Sequence, residues 1–255
     1  MNSDYLRRHR AHDVEALLER WVAVARGAGL DMVELRPGVP YLRTRGPWCE
    51  ERAVYLSAGI HGDEPAGTEG LIGWAESRID WLRSASCLII PCFNPDGLRQ
   101  NTRRDATGTD LNREFHHTRN PLISAWRERM EGMRFRLALC LHEDYDATGT
   151  YLYELGEVGE SIGNECLDAC AEFIPRESRA EVEGMAMDRG LLFHGGDLLE
   201  LLEEMDEGLP EAIYLRVHHA VTALTFETPS EFGLDLRVAA QVRCIEAALR
   251  LTGLV

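Results

Sequence analysis

Two histidines and a carboxylate in this chain have types and spacing that suit a metal site. His61 and Glu64 stand three residues apart in Gly59-Ile60-His61-Gly62-Asp63-Glu64, and His142 leads His142-Glu143-Asp144 much further along. Two imidazoles and one carboxylate hold catalytic zinc with one position left for water, whose pKa falls to about 7 when bound. His61 and Glu64 are close enough in sequence to grip one ion. His142 has to arrive from a distant strand, which would give three-point geometry. Neither half is specific by itself, since His-x-x-Glu is commonly a surface pair and a lone histidine is commonly satisfied within a core. Two further polar segments accompany them. Asn94-Pro95-Asp96-Gly97 leads into Thr102-Arg103-Arg104 and Asp110-Leu111-Asn112-Arg113, and Glu227-Thr228-Pro229 lies near the far end.

Each segment follows an apolar run of strand length: AVYLSA at 53–58, CLIIPCF at 87–93, RLALCL at 136–141 and VTALTF at 221–226. The second run is almost wholly apolar, as expected where both faces of a sheet are covered. Between the runs, apolar residues at helical spacing predict helices over 14–28, 68–82, 120–133, 159–173 and 234–251, with a short acidic helix over 197–205. Residues 32–44 read as two short strands around the Pro37-Gly38 turn, and 175–196 reads as irregular. Strands alternating with helices predict one α/β domain over residues 1–255, with a mixed, mainly parallel sheet between helices. Ligands bind outside the carboxyl ends of strands in such sheets. All four polar segments fall there.

The set HGDE at 61–64, NPDGLRQNTRRDATGTDLNR at 94–113, LHED at 141–144 and TFETP at 225–229 resembles the zinc carboxypeptidase family. The likeness is to its compact bacterial members and to the related desuccinylase and aspartoacylase branch. It covers about 53–145 and 221–230, while 1–50 and 175–220 carry no matching motif. The resemblance implies a zinc-carboxypeptidase-like fold and one Zn2+ per chain on His61, Glu64 and His142. It makes Glu227 the general base and acid, and Arg103 the arginine that polarises the scissile carbonyl. Asn112 and Arg113 align with the pair that holds a terminal carboxylate, and Asp110 with the carboxylate that orients the first zinc histidine. These roles make physical sense. A carboxylate on the second nitrogen of His61 would set its tautomer. Arg113 can clamp a carboxylate bidentately, and Glu227 could carry a proton from water to a leaving amine.

Some readings stay open. Asp110 also suits a turn or helix cap, Arg104 competes with its neighbour Arg103, and Glu143 and Asp144 suit either solvated acids or supports of the site. The family's mobile tyrosine has no secure counterpart among Tyr151, Tyr153 and Tyr214. His116, His117, His194, His218 and His219 read as surface or structural. The resemblance implies a metallocarboxypeptidase acting on small peptides. The alternatives are an N-acyl amino acid deacylase and an inactive zinc-containing binding protein. The stretch between NPDG and DLNR is closer to the compact carboxypeptidases, since the deacylase branch has a shorter one.

Composition narrows the partners. Asp and Glu total 43 against 27 Lys and Arg, a formal net charge of −16. Such an acidic chain is a poor general binder of phosphates, so neither nucleic acid nor an anionic membrane is an expected partner. No apolar run nears the roughly 18 residues of a membrane span. The first residues lack the apolar core of a signal peptide, so a cytoplasmic protein is expected. The seven cysteines are odd in number and form no CxxC pair. They read as free thiols, Cys166 and Cys170 packing one helical turn apart.

Overall fold

Where the chain is apolar without alternation, it forms central strands. β1 (Asp31–Arg36) and β2 (Val39–Arg43) precede β3 (Ala53–Ala58) and β4 (Ser86–Ile90), and the last two are buried at every position. The computed structural model describes residues 10–196, 198, 202 and 208–255. β5 (Phe135–Asp144), β6 (Tyr151–Leu155), β9 (Leu191–His194) and β10 (Ala220–Pro229) complete an eight-stranded sheet, ordered β1-β2-β4-β3-β5-β10-β6-β9. A two-stranded ribbon, β7 (Glu181–Val182) and β8 (Met185–Ala186), stands apart. The centre β4-β3-β5-β10 is parallel, and β6 joins β10 antiparallel. The sheet is therefore mixed with a parallel heart, as the α/β pattern predicts.

Helices cover both faces. On one lie α1 (Val14–Ala28), α2 (Pro65–Ser77), α6 (Gly163–Cys170) and α8 (Leu234–Leu251); on the other lie α5 (Pro121–Met130) and α7 (Glu211–His218). Two short helices, α3 (Ile79–Leu82) and α4 (Pro95–Gln100), complete the described set. Strand parity decides which side chain meets which layer. Leu139, Leu141 and Phe226 pack with Trp21, Leu71 and Ala248, whereas Ala138, Cys140 and Ala223 pack with Ile123, Trp126 and Leu215. By the same alternation His142 and Glu227 face the Cys140 side, and Glu143 and Thr228 face α2 and α8.

Several boundaries differ from expectation. α2 begins at Pro65 rather than at 68, because proline is favoured at a helix's first position, and it stops at Ser77. The strand expected through residue 93 ends at Ile90, ahead of Pro91. The helix expected over 159–173 is confined to Gly163–Cys170. Residues 175–196 are not wholly irregular, since β7, β8 and β9 lie there. Spacing also missed α4, β6 and α7, each short enough for tertiary packing to decide. The acidic helix expected over 197–205 falls, apart from residues 198 and 202, outside the described residues. No described helix is long and apolar enough to cross a membrane.

Candidate metal centre and active site

β5 and β10 run further than their apolar cores, and that extension brings the polar segments together. His142 and Glu227 are the eighth residues of their strands and stand opposite one another in the parallel register. They therefore project from the same face at the carboxyl edge of the sheet. β3 delivers the Gly59–Glu64 loop beside them, and Glu64 is the residue from which α2 departs.

Glycine makes this loop possible. A Cβ on Gly62 would lie 2.0 Å from the backbone carbon of Gly97, so the HGDE and NPDG loops touch main chain to main chain. The Gly62 N–H donates to Thr102 O at 3.1 Å. Asn94 caps α4 by accepting from Gly97 N at 2.8 Å, and its Nδ2 donates to Arg103 O at 3.2 Å. The asparagine of NPDG thus holds the backbone that presents Arg103.

Among the described residues, His61, Glu64 and His142 are the one set of three or more His, Cys, Asp or Glu whose donor atoms all lie within 4.8 Å of one another, and all three are buried. Glu64 Oε1 is 2.5 Å from His61 Nδ1, and Glu64 Oε2 is 3.0 Å from His142 Nδ1. The second contact is short yet lacks hydrogen-bond geometry, leaving Glu64 Oε2 buried without a hydrogen-bond partner. Donor atoms turned towards a common point behave this way, so the residues fit a divalent cation with nitrogen and oxygen ligands. Burial disfavours a charged His61, but the Glu64 carboxylate and Asp110 override it and raise the imidazole's pKa. Burial likewise opposes ionisation of Glu64, and the two imidazoles outweigh it, holding the carboxyl well below its usual range.

Asp110 lies behind His61. Its Oδ1 is 3.2 Å from His61 Nε2 and also accepts from Asn112 N at 3.0 Å, capping the 3-10 turn Leu111–Arg113. The cap and the histidine-orienting contact are made by one side chain, so the two readings of this residue are compatible. An Nε2–H donated to Asp110 leaves the Nδ1 lone pair facing Glu64, the tautomer a metal ligand needs.

Arg103 donates from Nε to Asp110 Oδ2 at 3.0 Å and reaches within 3.3 Å of His61 Nδ1. Arg104 instead bonds Gly108 O within its own loop. If Arg103 holds the oxyanion, as the resemblance implies, Arg103→Ala should lower turnover about 10²- to 10³-fold, the usual weight of one such donor. Arg104→Ala should stay within a few-fold, and steady-state rates of both variants on one substrate check this.

Asn112 and Arg113 follow in the same turn. Asn112 is buried, and its Oδ1 accepts from Glu211 N at 2.9 Å. That leaves its amide N–H groups to offer to a carboxylate. Arg113 is half-buried beside it.

Glu227 stands outside the three-donor set. Its carboxylate is buried and Oε2 has no hydrogen-bond partner. Burial pushes this carboxyl up to about 8; His142 opposes the rise, while Glu64, Asp144 and Glu183 add to it. Tyr151 pairs in register with Glu227 on β6 and donates to Asp144 Oδ2 at 3.0 Å. Tyr153 donates to Glu183 Oε2 at 3.2 Å. Tyr214 is buried against Trp126 and Phe115, a packing role unsuited to a mobile cover.

Parity separates the two acids after His142. Glu143 points to the helical layer, where Oε1 accepts from Ala66 N at 2.6 Å and Oε2 meets Arg237 of α8. It caps the start of α2, whereas Asp144 stays near the site with Tyr151. Two of the other histidines bond to backbone: His116 Nδ1 accepts from Leu209 N at 3.1 Å and His219 donates from Nδ1 to Met133 O at 3.1 Å. Cys166 and Cys170 are buried on α6, where Cys170 donates to Ala240 O at 3.5 Å.

Sequence reasoning missed Gln241, which is wholly buried on α8. One signal was present: it interrupts the apolar stripe formed by Ala240, Cys244, Ile245 and Ala248.

Comparison with known proteins agrees with the motifs. Residues 50–160 match the succinylglutamate desuccinylase/aspartoacylase catalytic domain. The chain is 28% identical over 202 residues to murein peptide amidase A of Escherichia coli, covering 77% of this chain and 71% of that protein. Its fold is similar to that of a metallopeptidase candidate from Shewanella denitrificans, with a TM-score of 0.81, 19% identity and coverage of 96% of this chain and 92% of the other. A metallo-carboxypeptidase from Burkholderia cenocepacia gives a TM-score of 0.61 at 18% identity, over 92% of this chain and 68% of that one. The family resemblance and the metallocarboxypeptidase-like fold are thereby borne out.

Proposed function

We propose that this chain, with its desuccinylase/aspartoacylase match and carboxypeptidase-like fold, is a zinc-dependent hydrolase of amide bonds next to a free carboxylate, and specifically a metallocarboxypeptidase acting on small peptides. The observation that carries the reading is the pairing of His142 with Glu227. One supplies a donor to the metal site; the other sets a buried carboxylate beside it that the donor set does not need. A protein that only bound metal or ligand would have no use for that second carboxylate.

His61, Glu64 and His142 would hold the ion. Zinc bound there supplies a Lewis acid that polarises a carbonyl and acidifies water. Asp110 keeps the His61 ring in the ligand tautomer. Asn112 and Arg113 bind the substrate's terminal carboxylate and so place the scissile bond. Arg103 turns its guanidinium to the carbonyl oxygen as negative charge develops there. Glu227 accepts a proton from the attacking water and delivers it to the departing nitrogen.

The deacylase reading shares all of these residues and is favoured by the family match at 50–160. A panel of dipeptides and N-acyl amino acids separates the two by kcat/KM. The anchor has its own test. Arg113→Lys should lower kcat/KM about tenfold or more on substrates with a free carboxylate, since a point charge loses the bidentate bond. Converting that carboxylate to an amide should impair the wild type and nearly erase the difference between the two enzymes. Equal turnover of free and amidated peptides by the wild type overturns the carboxypeptidase reading.

A further inference from the structure

Apart from His61, which lies in the loop after β3, the metal donors and the proposed base come from three elements: Glu64 from the start of α2, His142 from β5 and Glu227 from β10. One helix touches all three. α8 packs on α2 at Gly70, where any Cβ would come within 2.5 Å of the Gln241 side chain. One turn earlier, Arg237 pairs with Glu143, whose other oxygen holds the first turn of α2. Gln241 itself sends Nε2 to His142 O at 2.8 Å and to Thr228 Oγ1 at 3.1 Å. A carbonyl can only accept, so His142 O dictates which end of the amide faces it.

The place of this contact matters. β3 pairs with β5 only as far as Ala58 opposite Leu141, whereas β10 continues to Pro229 opposite Asp144. At His142 the β5 strand has thus run past its pairing with β3, and Gln241 supplies a donor to that residue's carbonyl from the layer of α2 and α8. The same nitrogen reaches the hydroxyl next to Glu227. Gln241 is fully buried, and its Oε1 has no hydrogen-bond partner among the described residues. Burying half a primary amide unsatisfied costs stability, and an apolar residue would continue the stripe on this helix face.

We infer that Gln241 is a positioning residue, which ties the backbone of His142 to Thr228 and so fixes a metal donor relative to the base. The inference rests on the proposed zinc-hydrolase reading. The isosteric Gln241→Met removes both donated bonds. It should weaken zinc binding, measured by competition with a chelating dye, and lower kcat, each by about 10- to 100-fold, the effect typical of losing support around a metal ligand. KM should change little, because the carboxylate anchors Asn112 and Arg113 lie on another segment. Thr228→Val keeps the bond to His142 and cuts only the link towards Glu227, so it should lower kcat while leaving zinc affinity near that of the wild type. Thr228→Ser should recover most of that loss. The double variant should be no slower than Gln241→Met alone, since both changes break one connection. Zinc affinity and kcat within twofold of wild type in Gln241→Met, with only the melting temperature changed, would overturn the inference. So would losses in kcat that multiply in the double variant. A wild type that binds no zinc would instead sink the zinc-hydrolase reading itself, and this inference with it.

Discussion

Glu227→Gln should lower turnover by about 10²- to 10⁴-fold, the usual contribution of a positioned general acid–base group. The loss could exceed that range because one carboxylate would serve two proton transfers. Glutamine keeps the size and hydrogen-bonding reach of glutamate but cannot accept a proton. Zinc content should be unchanged, since Glu227 lies outside the three-donor set, and substrate affinity should change little. The pH profile carries a separate signature. Burial holds the Glu227 carboxyl up at about 8, and a divalent cation on the neighbouring donors would draw it down. Only the ionised form can act as a base, so activity should rise with pH through the pKa of the coupled site. The Gln variant should lose that limb. If Glu227 were merely a strand-end acid, the variant would keep turnover within a few-fold and alter only thermal stability. Turnover, zinc content and melting temperature on one preparation distinguish these outcomes, and near-normal turnover in a zinc-loaded variant refutes the catalytic role.

His142→Ala should weaken zinc binding by more than the roughly 10- to 100-fold that loss of an outer supporting residue costs, because it removes one of three protein donors. Activity should vanish at limiting zinc and return only partly at high zinc. Chelation of the wild type should abolish activity, and added zinc should restore it. The substitution also removes a buried ring 5.2 Å from that of His61, centroid to centroid, so melting temperature should be followed alongside. Zinc affinity equal to that of the wild type in a folded His142→Ala protein would exclude this histidine from the site.

Much of the architecture was legible from the chain alone. The runs at 53–58, 87–93, 136–141 and 221–226 are apolar because parallel strands are covered on both faces, and each became a central strand. The α1 and α8 boundaries follow directly from helical periodicity, with Gly29 closing α1 in the left-handed conformation. The candidate ligands were legible too, because HGDE, NPDG, DLNR and TFETP are local strings whose residue types imply chemistry.

Other features depend on contacts between distant segments, which no local window contains. Whether Arg103 or Arg104 reaches His61 depends on how the Asn94 amide holds the loop backbone. The opposite duties of Glu143 and Asp144 follow from strand parity, and only the extension of β5 to Asp144 establishes it. The pairing of His142 with Glu227, 85 residues later by number, is a matter of sheet register. Gln241 follows Thr228 by 13 residues but His142 by 99, and only the packing of α8 across Gly70 brings it to both strand ends. Residue type and spacing carry the chemistry of this protein because donors and acids are encoded one position at a time. The distances that could make that chemistry work arise between strands and helices, so tertiary packing alone decided them.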